Sequence, residues 1–197
     1  MSPRAGLDRT VVVVEEAAVL ADEDGFENLS LARLAERLGV RKPSLYNHIA
    51  GLDGIRRELV LKGLRELGRV LSSASSGEDG EAGIFALAEA YRSFIKEHPG
   101  LYAATVMSYR IYAPDDHELG AAEGEALQTV LSVLASCGIR DEGAVHAARG
   151  LRAVAHGFAT LEYAGGFGMP VDVDESFRRL VRAFVAGLWS READGGR

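Results

Sequence analysis

The sequence is poor in the residues that would mark several common protein classes. It holds one cysteine, Cys137, in 197 residues, so no internal disulfide can form and a cross-linked secreted scaffold is excluded. No run of 18 apolar residues occurs, so a membrane-spanning helix is not expected and no membrane partner is foreseen. The opening MSPRAGLDRT lacks the charged-then-apolar order of a secretory leader. These features together predict a cytoplasmic protein. His and Cys never recur at metal-ligand spacing, and no nucleophile, base and orienting group share a neighbourhood, so neither a metal, a cofactor nor catalysis is expected.

Positive charge is also scarce. The formal net charge is −7, which by itself argues against a nucleic-acid partner. Its distribution argues the other way. Residues 1–29 carry 2 basic and 7 acidic side chains, and residues 58–197 carry 14 and 20. Residues 30–57 carry 6 basic (Arg33, Arg37, Arg41, Lys42, Arg56, Arg57) against 2 acidic (Glu36, Asp53). A polyphosphate would be drawn to that island and repelled elsewhere.

What is present is helical pattern nearly throughout, with 47% hydrophobic residues to build a core. Val13, Ala17, Leu20 and Ala21 recur at helical spacing over 8–24. The run Val11–Val14 could be a strand, but it leads into a helical period without a break, so a helix is predicted. Ser30 suits an N-cap for a helix with Leu31, Leu34, Ala35 and Leu38 on one face, stopped at Gly39. Pro43 suits the first turn of the next helix, which has only Leu45 and Ile49 to bury. Further helices are expected at about 53–71, 84–97, 101–111, 116–136, 141–164 and 174–190, with a Ser/Gly-rich acidic connector at 72–83. The expected fold is all-α, of about nine helices. A three-helix domain occupies residues 1–56, and a larger helical domain occupies 57–197.

Two short helices around a tight turn, the second with a narrow apolar edge, make a helix-turn-helix. Leu45 and Ile49 would anchor the second helix. Ser44, Tyr46, Asn47 and His48 would then be free to enter a groove ~12 Å wide. Asn can read adenine, and Ser, Tyr and Lys suit phosphates or base edges. On spacing and charge alone, a DNA reader and a structural hairpin in a protein-interaction module both remain open.

The stretch LSLARLAERLGVRKPSLYNHIAGLDGIRREL, residues 29–59, resembles the DNA-binding domain of the tetracycline-repressor (TetR) family. RAGLDRTVVVVEEAAVLADEDGFENLSL before it matches that family's first helix and following loop. LRAVAHGFATLEYAGGFGMPVDVDESFRRLV, from Leu151, is similar to the TetR-type ligand-binding domain named for a Trp-His-Gly signature. Here the signature reads Ala155-His156-Gly157. The resemblance implies a homodimeric, ligand-responsive regulator, repressing from a pseudo-palindromic double-stranded operator and released by a small molecule. It places Pro43, Ser44, Tyr46, Asn47 and His48 against DNA, and Ser30 at a phosphate. Many members carry an aromatic where Asn47 stands and a lysine where Leu52 stands; Arg41, Lys42 and Arg56 are candidates to replace the missing charge.

Aromatic and thioether residues in the expected pocket walls are Tyr91, Phe94, Tyr102, Met107, Tyr109, Phe158 and Tyr163, a lining suited to an apolar effector. Glu162, alone among apolar neighbours, reads either as a salt bridge or as the partner of a polar effector group. Wide apolar stripes on the last two helices predict a four-helix dimer interface through Leu151, Val154, Phe158, Phe177, Val181, Phe184 and Leu188. A larger monomeric core is the alternative.

Overall fold

A computed structural model describes residues 9–106 and 115–189. Among these residues there are nine α-helices and one short 3-10 turn. The helices are α1 Arg9–Asp24, α2 Leu31–Leu38, α3 Lys42–Leu45, α4 Gly51–Ala74, α5 Gly80–Glu97, α6 Pro99–Val106, α7 His117–Ser136, α8 Asp141–Tyr163 and α9 Val173–Trp189; the turn is Phe26–Asn28. The all-α expectation holds. No helix among the described residues is long and apolar enough to cross a membrane.

The valine run is helical. Val13 is buried while Val11 and Val12 face outward, the one-sided burial of an amphipathic helix. The connector after α4 is shorter than expected. The helix runs on to Ala74, where the Ser75 hydroxyl donates back to the Leu71 carbonyl at 2.9 Å. At the other end, the Gly80 N–H that opens α5 donates to the Ser136 hydroxyl.

The described residues form two compact units. The first holds those up to Arg65 and those between His98 and Ala122; the second holds Glu66 to Glu97 and Glu123 onward. In the first unit α6 packs on α1, and α4 runs unbroken from Gly51 to Ala74. The approach of α6 to α1 is close enough to require glycine. A Cβ on Gly100 would fall 1.8 Å from the Ala21 carbonyl oxygen. Next to it, Asp22 Oδ1 accepts the N–H groups of Gly100 and Leu101, both at 2.9 Å. A side chain on α1 thus caps the first turn of α6, satisfying donors that the helix leaves orphaned.

Within the second unit the core is built from Ile84, Leu87, Ala88, Phe94 and Ile95 of α5 against Leu151, Ala155 and Ala159 of α8 and Phe177, Val181 and Val185 of α9, all buried. One charged side chain is buried with them. Arg92 on α5 lies 6% exposed, its guanidinium 4.9 Å from the Phe177 ring centroid and 5.5 Å from that of Phe158.

Candidate nucleic-acid interface

The first unit builds a reading surface from local signals in the chain. The Ser30 hydroxyl accepts the Arg33 N–H at 3.3 Å and caps α2. Gly39 ends the helix in the left-handed region, φ 66° and ψ 28°, where glycine pays no Cβ penalty. The chain then extends through Arg41 and turns into α3, with proline in its first turn. The regular helix is only four residues long. Two further backbone bonds carry the turn on, from His48 N–H to Leu45 O at 2.9 Å and from Ile49 N–H to the same oxygen at 3.1 Å.

Burial divides this segment as a groove reader requires. Leu45 is 1% exposed and Ile49 9%, while Tyr46 is 56% exposed. Arg41, Lys42, Pro43, Ser44 and Asn47 are exposed, and His48 and Ser30 are half-buried. Two anchors fix the segment, and the polar side chains between them are presented outward.

The positive island is smaller than its formal count. Arg33 donates to Asp24 at 2.8 Å, and Arg37 to Glu23 at 2.6 Å and Glu16 at 2.9 Å. The hydrogen bonds to these carboxylates raise both guanidinium pKa values further above the ordinary one. Arg57 binds Asp116 through Nε at 2.6 Å and reaches Glu118 and Glu58. Asp116 in turn accepts the Leu119 N–H at the start of α7, and its carboxyl is held below the ordinary aspartate range, chiefly by Arg57. Three of the six cations thus serve internal joints. Arg56 is half-buried, with its Nε lacking a hydrogen-bond partner. Arg41 and Lys42 are exposed and make no ion pair among the described residues, so the attraction for phosphate is concentrated there.

The effector residues foreseen from sequence are buried to different degrees. Met107 and Tyr109 lie outside the described residues. Tyr102 is buried in the first unit, and Tyr91 and Phe94 are buried in the second. Tyr163 is 58% exposed at the end of α8. Glu162 is bound by Arg92 through two bonds of 2.7 and 2.9 Å and by Lys96 at 2.6 Å, the salt-bridge reading of that residue. Asp174, at the start of α9, completes the cluster at 2.6 Å from Arg92. Sequence reasoning missed Arg92. Its signal was a cation set among Tyr91, Phe94 and Ile95 on the apolar side of α5.

The pairing stripe also needs correction. Leu151, Phe177 and Val181 are 1%, 0% and 1% exposed within a single subunit, and Phe158 is engaged by Phe177 and Phe167 at 5.0 and 4.7 Å. Leu151, Phe177 and Val181 serve the subunit's own packing, because helical period places them on the inward side of α8 and α9. Val154, Phe158, Phe184 and Leu188 are half-buried and keep surface to offer. No His, Cys, Asp and Glu grouping among the described residues is suited to a metal ion.

A capped helix, a left-handed glycine turn and a second helix held by two apolar anchors define a helix-turn-helix regulator, here joined to a larger helical unit. The profile described as "Bacterial regulatory proteins, tetR family" matches residues 13–51. The one described as "Tetracyclin repressor-like, C-terminal domain" matches 84–184. An uncharacterized HTH-type transcriptional regulator, YobS of Bacillus subtilis (strain 168), is 36% identical over 189 residues, covering 95% of this chain and 96% of the relative. A solved protein of unknown function from Rhodococcus sp. RHA1 superposes with a TM-score of 0.79 at 25% identity, over 95% of this chain and 98% of its own. A TetR from Acinetobacter baumannii AYE, solved in complex with minocycline, shares the fold at a TM-score of 0.68 and 23% identity, over 93% and 97%. The chain belongs to the TetR family of transcriptional regulators: it is a DNA-binding helix-turn-helix protein and not an enzyme.

Proposed function

We propose that the protein is a ligand-responsive repressor that binds a pseudo-palindromic operator as a homodimer and is released by a small molecule. In this reading residues 1–56 read DNA, and 57–197 pair the subunits and hold the effector. The observation that carries the DNA-reading half is the exposure of Lys42, Ser44, Tyr46 and Asn47 around the buried Leu45 and Ile49. Arg41 and Lys42 supply phosphate contacts where Leu52 lacks charge, Asn47 reads a base edge, and Ser30, Pro43 and His48 complete the contact surface.

Pairing is supported by an uncharged strip along α8 and α9. Gly150, Val154, Gly157 and Leu161 recur at helical spacing, as do Val173, Ser176, Leu180, Ala183 and Gly187. Leu161 is 55% and Leu180 38% exposed, and nothing lies within 4 Å of a Cβ built on Gly157 or Gly187. Charged side chains fall on the other exposed faces: Arg149 and Arg152 on α8, Arg179 and Arg182 on α9. Two such strips suit a four-helix packing that would hold two reading heads ~34–36 Å apart, one turn of B-DNA. The minocycline complex of the A. baumannii protein supports a small-molecule effector as the releasing signal. The effector must bind the two arrangements of the subunits unequally, and a coupling of about 1–3 kcal/mol is typical.

A mobility-shift titration tests the reading, using DNA from immediately upstream of the coding region and salt from 50 to 200 mM. Retention that falls steeply with salt is expected. Retention indifferent to salt, with no preference for any fragment, would leave the helix-turn-helix as a structural hairpin. A fragment bound alike in the presence of every compound in an effector library would leave the protein a constitutive DNA binder.

A further inference from the structure

The turn joining α8 to α9 exposes more apolar surface than a solvated loop needs. Met169 is 78% exposed, Val171 63% and Phe167 38%, beside Leu161 at 55%. Adjoining apolar side chains left in water at this density mark an interaction surface. The loop is nonetheless held in shape. Phe167 packs on Phe158 at 4.7 Å, the Gly166 N–H donates to Leu161 O at 2.8 Å, and Arg92 grips Glu162 before the loop and Asp174 after it. A preformed apolar knob loses little entropy on docking.

At the opposite end of the same two helices is a groove of about 920 Å³, walled by Ile139, Gly143, Ala147, Ala183, Phe184 and Leu188 together with the polar Arg140, Asp141, Glu142 and His146. From Ala147 to Leu161 is fourteen residues of α8, or ~21 Å at the α-helical rise. Knob and groove therefore sit at the closed and open ends of one helical hairpin. We propose that the 166–171 loop of each copy seats in the α8/α9 groove of a second copy. Twofold pairing places residue i on j and j on i. When two such hairpins cross antiparallel about a perpendicular axis, the closed end of one meets the open end of the other. The contact supplies what the central strip lacks. A stable interface buries ~800 Å² per partner, and a strip containing Gly157, Ala183 and Gly187 offers little area of its own. Met169 and Val171 provide the remainder.

The inference rests on the homodimer reading, and the experiment separates the two. In full-length protein with Cys137→Ser, the pair Met169→Cys and Ala183→Cys is expected to form an interchain disulfide under mild oxidation, while either cysteine alone leaves monomers on a non-reducing gel. Met169→Asp, at a side chain 78% exposed within the subunit, is expected to weaken the dimer at least tenfold in sedimentation velocity. An uncrosslinked double variant, or an unchanged dissociation constant for Met169→Asp, overturns the loop-in-groove contact. Leu180→Arg then tells which idea has failed. Monomers from that variant leave the four-helix pairing standing without the knob, and persistent dimers remove the pairing and the knob together.

Discussion

Arg92 and Glu162, 70 residues apart in the chain, meet side-on through two hydrogen bonds of 2.7 and 2.9 Å, next to rings from α8 and α9. The guanidinium is almost fully withdrawn from water. Burial lowers its pKa, and the bonds to Glu162 and Asp174 more than reverse that, so the net shift is upward. It joins α5, the end of α8 and the start of α9 at one point. A buried ion pair adds little over a well-packed apolar substitute, but removing one partner strands the other charge.

Arg92→Ala is accordingly expected to cost about 3–5 kcal/mol of unfolding free energy. Urea denaturation measures it. The double variant Arg92→Leu with Glu162→Leu should recover much of the loss, since it removes both buried charges and leaves only Lys96 and Asp174, which are open to water. A loss below about 1 kcal/mol for Arg92→Ala would show that the cluster contributes no net stability.

The same cluster sets a pH dependence. Hydrogen bonding to Arg92 holds the Glu162 carboxyl below its ordinary 4.5, and Asp174 is lowered for the same reason. Groups with depressed folded values stabilise the fold fully above their unfolded values, and that contribution disappears as pH falls through the folded ones. Wild-type protein is expected to lose stability steadily below about pH 4.5. The gap between wild type and Arg92→Leu should narrow over the same range. Unfolding curves at pH 7 and pH 3.5 test this, and a gap that widened in acid would contradict the sign.

The basic residues of the reading head divide into two groups with different salt behaviour. Lys42→Ala and Arg41→Ala should weaken binding to all DNA sequences about alike, each lowering the salt slope by about 1. Arg33→Ala and Arg37→Ala remove cations already paired with Asp24, Glu16 and Glu23, so the slope should stay near wild type. Equal slopes for all four would mean that the internal pairs open when DNA binds.

Asn47→Ala should relax preference at one base position, by about 1–3 kcal/mol if the contact is bidentate. Binding to operators randomised one position at a time gives the answer.

At the α1–α6 contact, Gly100→Ala forces a methyl into the Ala21 carbonyl, and an overpacked backbone contact of this kind is expected to cost about 1–3 kcal/mol. Asp22→Ala removes the cap on α6 at about 0.5–2 kcal/mol. Amide exchange at Gly100 and Leu101 should accelerate in both variants.

Much of the fold was legible because it rests on local rules. Helix positions came from the 3.6-residue period, and the ends came from Ser30, Gly39 and Pro43. The two-anchor helix was readable because Leu45 and Ile49 were its only apolar residues. Which side of α8 and α9 faces inward was not legible. Leu151, Phe177 and Val181 look as ready to pair with a second copy as Val154 or Phe184, since periodicity defines a stripe and not the neighbour that covers it. The basic island was overcounted for a related reason: a charge sum cannot see that Arg33 and Arg37 of α2 lie against the acids of α1.

By itself the sequence determined an all-helical chain, the helix-turn-helix and the side chains that could touch DNA, because helix propensity, capping and turn chemistry act between residues a few positions apart. Tertiary structure decided how those side chains are used. Among the described residues it left Arg41 and Lys42 without an ion pair while binding Arg57 to Asp116, and it buried Arg92 beside Glu162. Those outcomes depend on which helices come to lie together, and contacts across 50 to 80 residues leave no periodic trace in the chain.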